Sequence, residues 1–147
     1  MKKVYIAPII EEETKEYLES YIKKNKIKNI LEVGTAIGYS AIIMALCDEN
    51  ITITTIERDK TRYFKALENI KKFNLEKRIT LVFNDAFEVK LDDEYDLIFI
   101  DAAKSKNKEI FNHFIKNLKK DGIVITDNLD FHGCVNQDLD KIESKNV

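Results

Sequence analysis

The chain has 147 residues, of which 44% are hydrophobic and 34% charged, with only 4 Gly and 1 Pro. This composition excludes collagen-like, Pro-rich and disordered classes, and the length suits a single domain with one sizeable core. Lys and Arg total 24 against 26 Asp and Glu, a net charge of -2, so the overall charge does not advertise a nucleic-acid binder.

Taken in chain order, short apolar runs alternate with segments of helical spacing. Ile10, Tyr17, Leu18, Tyr21 and Ile22 form a stripe ahead of the first run, Asn29 to Val33. A second stripe, Ile42, Ile43 and Leu46, leads to the run Ile51 to Ile56, and a third, Phe64, Leu67 and Ile70, leads to Ile79 to Phe83. The run Tyr95 to Ile100 follows, then a stripe of Ile110, Phe111, Phe114, Ile115 and Leu118, and finally Gly122 to Thr126. These runs are β-branched and aromatic, and several are continuous, as strands buried on both faces should be. Strand and helix in alternation predict an α/β fold with a doubly wound parallel sheet, and no linker or repeat divides residues 1–147 into further domains.

None of the apolar runs reaches the roughly 20 residues that cross a bilayer. The opening MKKVYIAPIIEEE is broken by Pro8 and then by acidic residues, so it does not read as a secretory core, and a cytoplasmic protein without membrane contact is expected. Cys47 and Cys134 lie 87 residues apart without a CxxC, which gives no zinc signal; Cys47 reads as core packing late in a helix. Lysines cluster at Lys23, Lys24, Lys26 and Lys28, at Lys71, Lys72, Lys77 and Arg78, and from Lys104 to Lys108, and read first as solvated helix ends.

Doubly wound sheets bind ligands at the carboxyl ends of their strands, so the residues after each run carry the functional argument. Glu32-Val33-Gly34-Thr35-Ala36-Ile37-Gly38-Tyr39-Ser40 follows or closes the first run, with glycines that permit a tight turn and close approach of a ligand to the backbone. A plain strand-to-helix turn explains the same spacing, and Ala36 departs from the G-x-G-x-x-G of dinucleotide enzymes. Glu57 closes the second run, 23 residues beyond Gly34, where an acid can accept both hydroxyls of a ribose; the alternative is a salt bridge to Arg58. Asp85, with Ala86 after it, either receives an exocyclic amine or caps the turn that follows. Asp101 ends the fourth run, and Asp127 and Asn128 end the fifth. On neighbouring strands about 4.8 Å apart these three oxygen donors converge on a site suited to Mg²⁺; otherwise they are separate turn residues.

The segments LEVGTAIGYSAIIMA, TIERD, FIDAAK and GIVITDN resemble the class I S-adenosylmethionine-dependent O-methyltransferases of the catechol/caffeoyl-CoA type, and within them the bacterial tRNA 5-hydroxyuridine methyltransferase branch. The resemblance runs from about Pro8 to the chain end. It implies a Rossmann-like, mostly parallel sheet of strand order 3-2-1-4-5. It places Glu32, Gly34, Tyr39 and Ser40 around the methionine part of S-adenosylmethionine, Glu57 on its ribose, and Asp85 with Ala86 at its adenine. Asp101, which also borders the cofactor, becomes a Mg²⁺ ligand with Asp127 and Asn128, and Lys104 the general base of catalysis. The implied reaction is Mg²⁺-dependent methyl transfer to a hydroxyl, with 5-hydroxyuridine at the wobble position of the tRNA anticodon as the leading acceptor.

Against that pattern the chain reads as truncated at both ends, lacking an N-terminal helix and the usual strands 6 and 7, which would leave the fifth strand an open edge. Asp130 and His132 stand near the acceptor site, where relatives tend to carry an apolar and a basic residue. Three further readings stay beside the leading one: a small catechol-like or phenolic acceptor, a non-catalytic cofactor-binding module and, more distantly, a nicotinamide dehydrogenase. A homodimer is compatible with any of the three enzymes.

Overall fold

The computed structural model describes residues 3–6, 11–101 and 106–126. In chain order the elements are β1 (Lys3–Ile6), α1 (Glu11–Lys24), β2 (Asn29–Val33), α2 (Tyr39–Ala45), β3 (Thr52–Glu57), α3 (Lys60–Lys72), β4 (Ile79–Phe83), β5 (Tyr95–Ile100), α4 (Asn107–Phe114) and β6 (Leu118–Thr126). The six strands form one sheet of order β1-β6-β5-β2-β3-β4, and every pairing is parallel. Strands β2 to β6 are the five expected from the sequence, in the expected order 3-2-1-4-5.

The central strand shows why continuous apolar runs mark this architecture. Ile30, Leu31, Glu32 and Val33 are all buried because β2 has strands on both sides and helices over both faces. On one face Ile30, Ile53, Leu97, Phe99, Ile123 and Ile125 pack under side chains of α1, α2 and α3, including Leu18, Ile22, Met44 and Ile70. On the other, Leu31, Val33, Ile56, Ile98, Ile100 and Val124 pack against Ile110 and Phe114 of α4. Each fully buried side chain of this size contributes roughly 1.5–3 kcal/mol of transfer free energy. Local signals set the helix ends: Asp59 caps α3 by accepting from the Arg62 N–H at 2.9 Å, and Lys71 and Lys72 occupy its last turn.

Several expectations need correction. The edge of the fifth expected strand is not open: β1 pairs with β6 from Lys3↔Ile123 to Ile6↔Thr126, and among the described residues the sheet edge is this four-residue strand. Short edge strands offer little template for further pairing. Strand β6 starts at Leu118, not Gly122, because Leu118 pairs with Tyr95 ahead of a register shift; the polar residues Lys119, Lys120 and Asp121 hide that start from a search for apolar runs.

Two residues of the expected stripes face outward. Leu46 is 57% exposed because α2 ends at Ala45 and its inward face is Ala41, Ile42, Met44 and Ala45. Phe64 is 54% exposed, since α3 buries Ala66, Asn69 and Ile70; its ring meets the edge of Tyr63, which in turn contacts Phe83. Ile10 and the side chain of Tyr17 lie outside the described residues.

Arg78 is no solvated helix end: its Nη1 donates to the carbonyls of Ala45, Asp48 and Ile51 at 3.0–3.1 Å, joining the end of α2 to the start of β3. Cys47 is half-buried in the turn after α2, where its Sγ donates to the Ile43 carbonyl at 3.4 Å. Burial raises its thiol pKa above the usual value, the neighbourhood of Glu19 adding to the effect. Among the described residues no helix is long and apolar enough to cross a membrane.

Candidate functional site

Strand order reverses between β2 and β5: the chain builds β3 and β4 outward on one side of β2 and then returns to place β5 on the other. A crevice at the carboxyl ends is the geometric result. A cavity of about 580 Å³ lies there, with Gly34, Ala36, Glu57, Asp85, Ala86 and Asp101 in its wall. Arg58, Arg62, Phe87 and Lys106 line it too.

The loop after β2 is shaped by backbone conformation. Gly34 has φ 99°, in the left-handed region that favours glycine, and its N–H donates to the Ile56 carbonyl at 2.9 Å. Gly38, at φ 95°, caps α2, and a Cβ there would sit 3.4 Å from Ala66 of α3, so the residue also permits close helix approach. Ala36 adopts φ 50°, a conformation that costs a non-glycine residue roughly 1–2 kcal/mol. Its N–H is held at 2.8 Å by Glu57 Oε1.

Glu57 is 5% exposed, and its second oxygen accepts from the Asp59 N–H at 2.9 Å. The expected alternative, an ion pair with Arg58, is not what forms; Arg58 instead lies 3.8 Å from Asp85 across the mouth of the cavity. The Glu57 carboxylate is thus fixed by two backbone donors, one from the glycine loop and one from the start of α3. Each oxygen keeps further acceptor capacity for a ligand. Asp85 caps the short turn after β4 through Oδ1 to the Phe87 N–H at 2.9 Å, so the capping alternative holds, while Oδ2 faces Arg58.

Glu32 is fully buried below the loop, accepting from the Thr55 hydroxyl at 2.6 Å. Tyr39, 61% exposed, and half-buried Ser40 open α2; neither they nor Glu32 are in the cavity wall. The Asp101 N–H donates to the Val33 carbonyl at 2.9 Å, which ties the end of β5 to the end of β2. The register that sets Ile100 opposite Thr126 brings the ends of β5 and β6 side by side. Lys104, Asp127 and Asn128 lie outside the described residues, as do Asp130, His132 and Cys134. Among the described residues no cluster of three His, Cys, Asp or Glu side chains forms a metal site.

Sequence reasoning missed Arg62 and Phe87 in the cavity wall and the hydroxyls of Thr35 and Thr55 beneath it. Arg62 is on a helix whose start is marked by Asp59, while Lys106, also in the wall, belongs to the lysine cluster already noted after the fourth run. Phe87 is two residues past Asp85, so distance from the strand ends could have flagged both Arg62 and Phe87.

A glycine-bearing loop after the first strand of the core unit, an acid closing the next strand, and a cavity at the strand-order reversal together define a Rossmann-like fold with its ligand crevice. The sequence profile described as O-methyltransferase matches residues 1–147. The chain is 32% identical over 132 residues to the caffeoyl-CoA O-methyltransferase of Populus kitakamiensis, covering 84% of this chain and 56% of that one. It is similar to a candidate caffeoyl-CoA O-methyltransferase from Staphylococcus aureus, with TM-score 0.75, 41% identity, and coverage of 82% of this chain and 59% of that one. It is also similar to an SAH-bound methyltransferase of Podospora anserina, with TM-score 0.74, 27% identity, and coverage of 78% and 51%. The chain belongs to the O-methyltransferase family. It spans little more than half the length of these relatives.

Proposed function

We propose that the chain binds S-adenosylmethionine and serves transfer of its methyl group to a phenolic, catechol-like hydroxyl. The carrying observation is Glu57, a nearly buried carboxylate held by two backbone N–H groups in the wall of a cavity at the sheet's switch point. A nucleoside ribose presents two adjacent hydroxyls, and a fixed carboxylate can accept both. The cavity of about 580 Å³ lies within the range of small-molecule sites, and the SAH-bound relative supports the choice of ligand.

In this reading Gly34 allows the cofactor to approach the backbone, and Asp85 with Ala86 receives the adenine. Glu32, Tyr39 and Ser40 shape the methionine end. Bound cofactor supplies an electrophilic methyl group, so no protein nucleophile is required. The chain's task is to hold an acceptor oxygen in line with that carbon. Asp101, at the cavity wall beside the end of β6, suits a hard cation by its oxygen chemistry, and Mg²⁺ shared with Asp127 and Asn128 would supply an acidified, oriented acceptor hydroxyl. Lys104 is proposed as the base that takes the acceptor's proton.

The phenolic acceptor is favoured by the caffeoyl group in the name of the Populus relative. A second reading, 5-hydroxyuridine in tRNA, is favoured by Lys106 in the cavity wall and exposed Lys108 in the first turn of α4, which could meet phosphate. One assay separates them: labelled S-adenosylmethionine is offered with caffeic acid and with tRNA lacking the modification, with and without chelator, over a range of salt. Transfer to caffeic acid that stops in chelator and varies little with salt is expected. Transfer to tRNA alone, falling steeply with salt, would replace the phenolic reading, and undiminished transfer in chelator would remove the metal.

A further inference from the structure

Glu32 on β2 and Thr55 on β3 are register partners, and both are fully buried, as is Thr35 in the loop after β2. Thr55 Oγ1 donates to Glu32 Oε1 at 2.6 Å. A hydroxyl has one proton, so the 2.6 Å contact between the Thr35 and Thr55 hydroxyls must run from Thr35 to Thr55. The result is a directed chain of hydrogen bonds, Thr35 to Thr55 to Glu32, in a sheet face otherwise built from Ile30, Ile53, Leu97 and Phe99.

Stability gives no reason for this chain. Valine has nearly the shape of threonine and would bury no hydroxyl, whereas taking a carboxylate and two hydroxyls out of water carries a desolvation cost. What the chain does provide is position. Thr35 is held at three points: its N–H donates to the Ile56 carbonyl at 3.1 Å, its carbonyl accepts from the Gly38 N–H at 2.9 Å, and its hydroxyl reaches Thr55. Its neighbours Gly34 and Ala36 both line the cavity, and Ala36 is the residue whose N–H Glu57 holds. The loop is therefore tied to two carboxylates, Glu57 directly and Glu32 through Thr55.

We infer that Thr55 is a positioning residue for cofactor binding: outside the cavity itself, it links Glu32 to Thr35 and so fixes the loop wall against which S-adenosylmethionine lies. The inference rests on the cofactor reading proposed above. Calorimetric titration of the chain with S-adenosylhomocysteine tests it, with T55V, T55S, T35V, the T35V/T55V double variant and a T52V control. Thr52 lies on the same strand, but its hydroxyl donates to half-buried Asn29 at the other end, at 3.0 Å.

T55V is expected to weaken binding about tenfold, with T55S within about twofold of the parent chain. T35V should match T55V, and the double variant should lose no more than about twofold beyond either, because both substitutions break the same chain. T52V should bind as the parent does. Parent-like affinity in T55V, or T55S as weak as T55V, overturns the inference while leaving the cofactor reading intact. If T55V fails to unfold cooperatively, T35V decides: parent-like affinity there overturns the inference, and a tenfold loss reversed by T35S supports it. A parent chain that does not bind S-adenosylhomocysteine overturns the cofactor reading and the inference with it.

Discussion

The two ends of the sheet use one device for different purposes. At the amino end, Asp96 of β5 accepts from the backbone N–H groups of Lys28 and Asn29 at 3.0 and 2.9 Å and from Lys119 Nζ at 2.9 Å. At the carboxyl end, Glu57 of β3 accepts from the N–H groups of Ala36 and Asp59, and no cation lies within ion-pair distance of it among the described residues. Asp96 has its charge answered by a lysine and closes a joint between β2, β5 and β6. Glu57 has its geometry fixed by the backbone but its charge left facing a cavity. A carboxylate held only by backbone donors at a strand's carboxyl end is thus a better sign of a ligand than a carboxylate alone.

Substitutions can break or sharpen this contrast. The largest effect is expected at the amino end, in Arg78→Ala. This change removes donors to three carbonyls and should cost on the order of 3 kcal/mol in denaturant unfolding. Affinity for S-adenosylhomocysteine at temperatures where the variant is folded should stay within about twofold of the parent, since Arg78 is remote from the cavity wall. A large loss of affinity would show that the two ends are not separable.

Glu57→Ala reverses the pattern. Losing a charged acceptor should weaken S-adenosylhomocysteine binding by roughly 1.5–3 kcal/mol, one to two decades in Kd by calorimetry. Unchanged affinity would remove Glu57 from the site.

The smallest effect is a pH dependence at Asp96. Burial pushes this carboxyl up, but the bonds from Lys119, Asn29 and Lys28 outweigh it and leave the pKa below the ordinary value. A depressed pKa in the folded state means stability that is fully present above the unfolded value, about pH 4, and is lost as pH falls toward the folded one. Asp96→Asn should therefore cost about 1 kcal/mol at pH 7, and the difference from the parent should shrink below about pH 4. A difference that persists unchanged into acid would assign the effect to packing.

The amino-acid sequence alone determined the alternation of elements from α1 to β6, and the family resemblance supplied the order of those five strands. Runs at 29–33, 79–83 and 95–100 match β2, β4 and β5 end to end; β2 and β5 are buried on both faces and so largely apolar, while β4 is an edge strand that is only partly buried. Gly34, Glu57, Asp85 and Asp101 were legible for a related reason: position immediately after a strand of a doubly wound sheet already places a residue at the crevice. Tertiary structure decided what depends on pairing across the sheet. The β1 strand is four residues long and gains meaning only from its register with β6. The exposure of Phe64 and Leu46 depends on where α2 ends and which way α3 rolls. Thr55 reads in sequence as one more β-branched strand residue; only the register that sets it opposite Glu32, and the loop that returns Thr35 to it, turn three separated polar residues into one hydrogen-bonded chain. Spacing along a chain encodes which way a side chain points, but contact between strands far apart in sequence is made by the packing of the whole sheet.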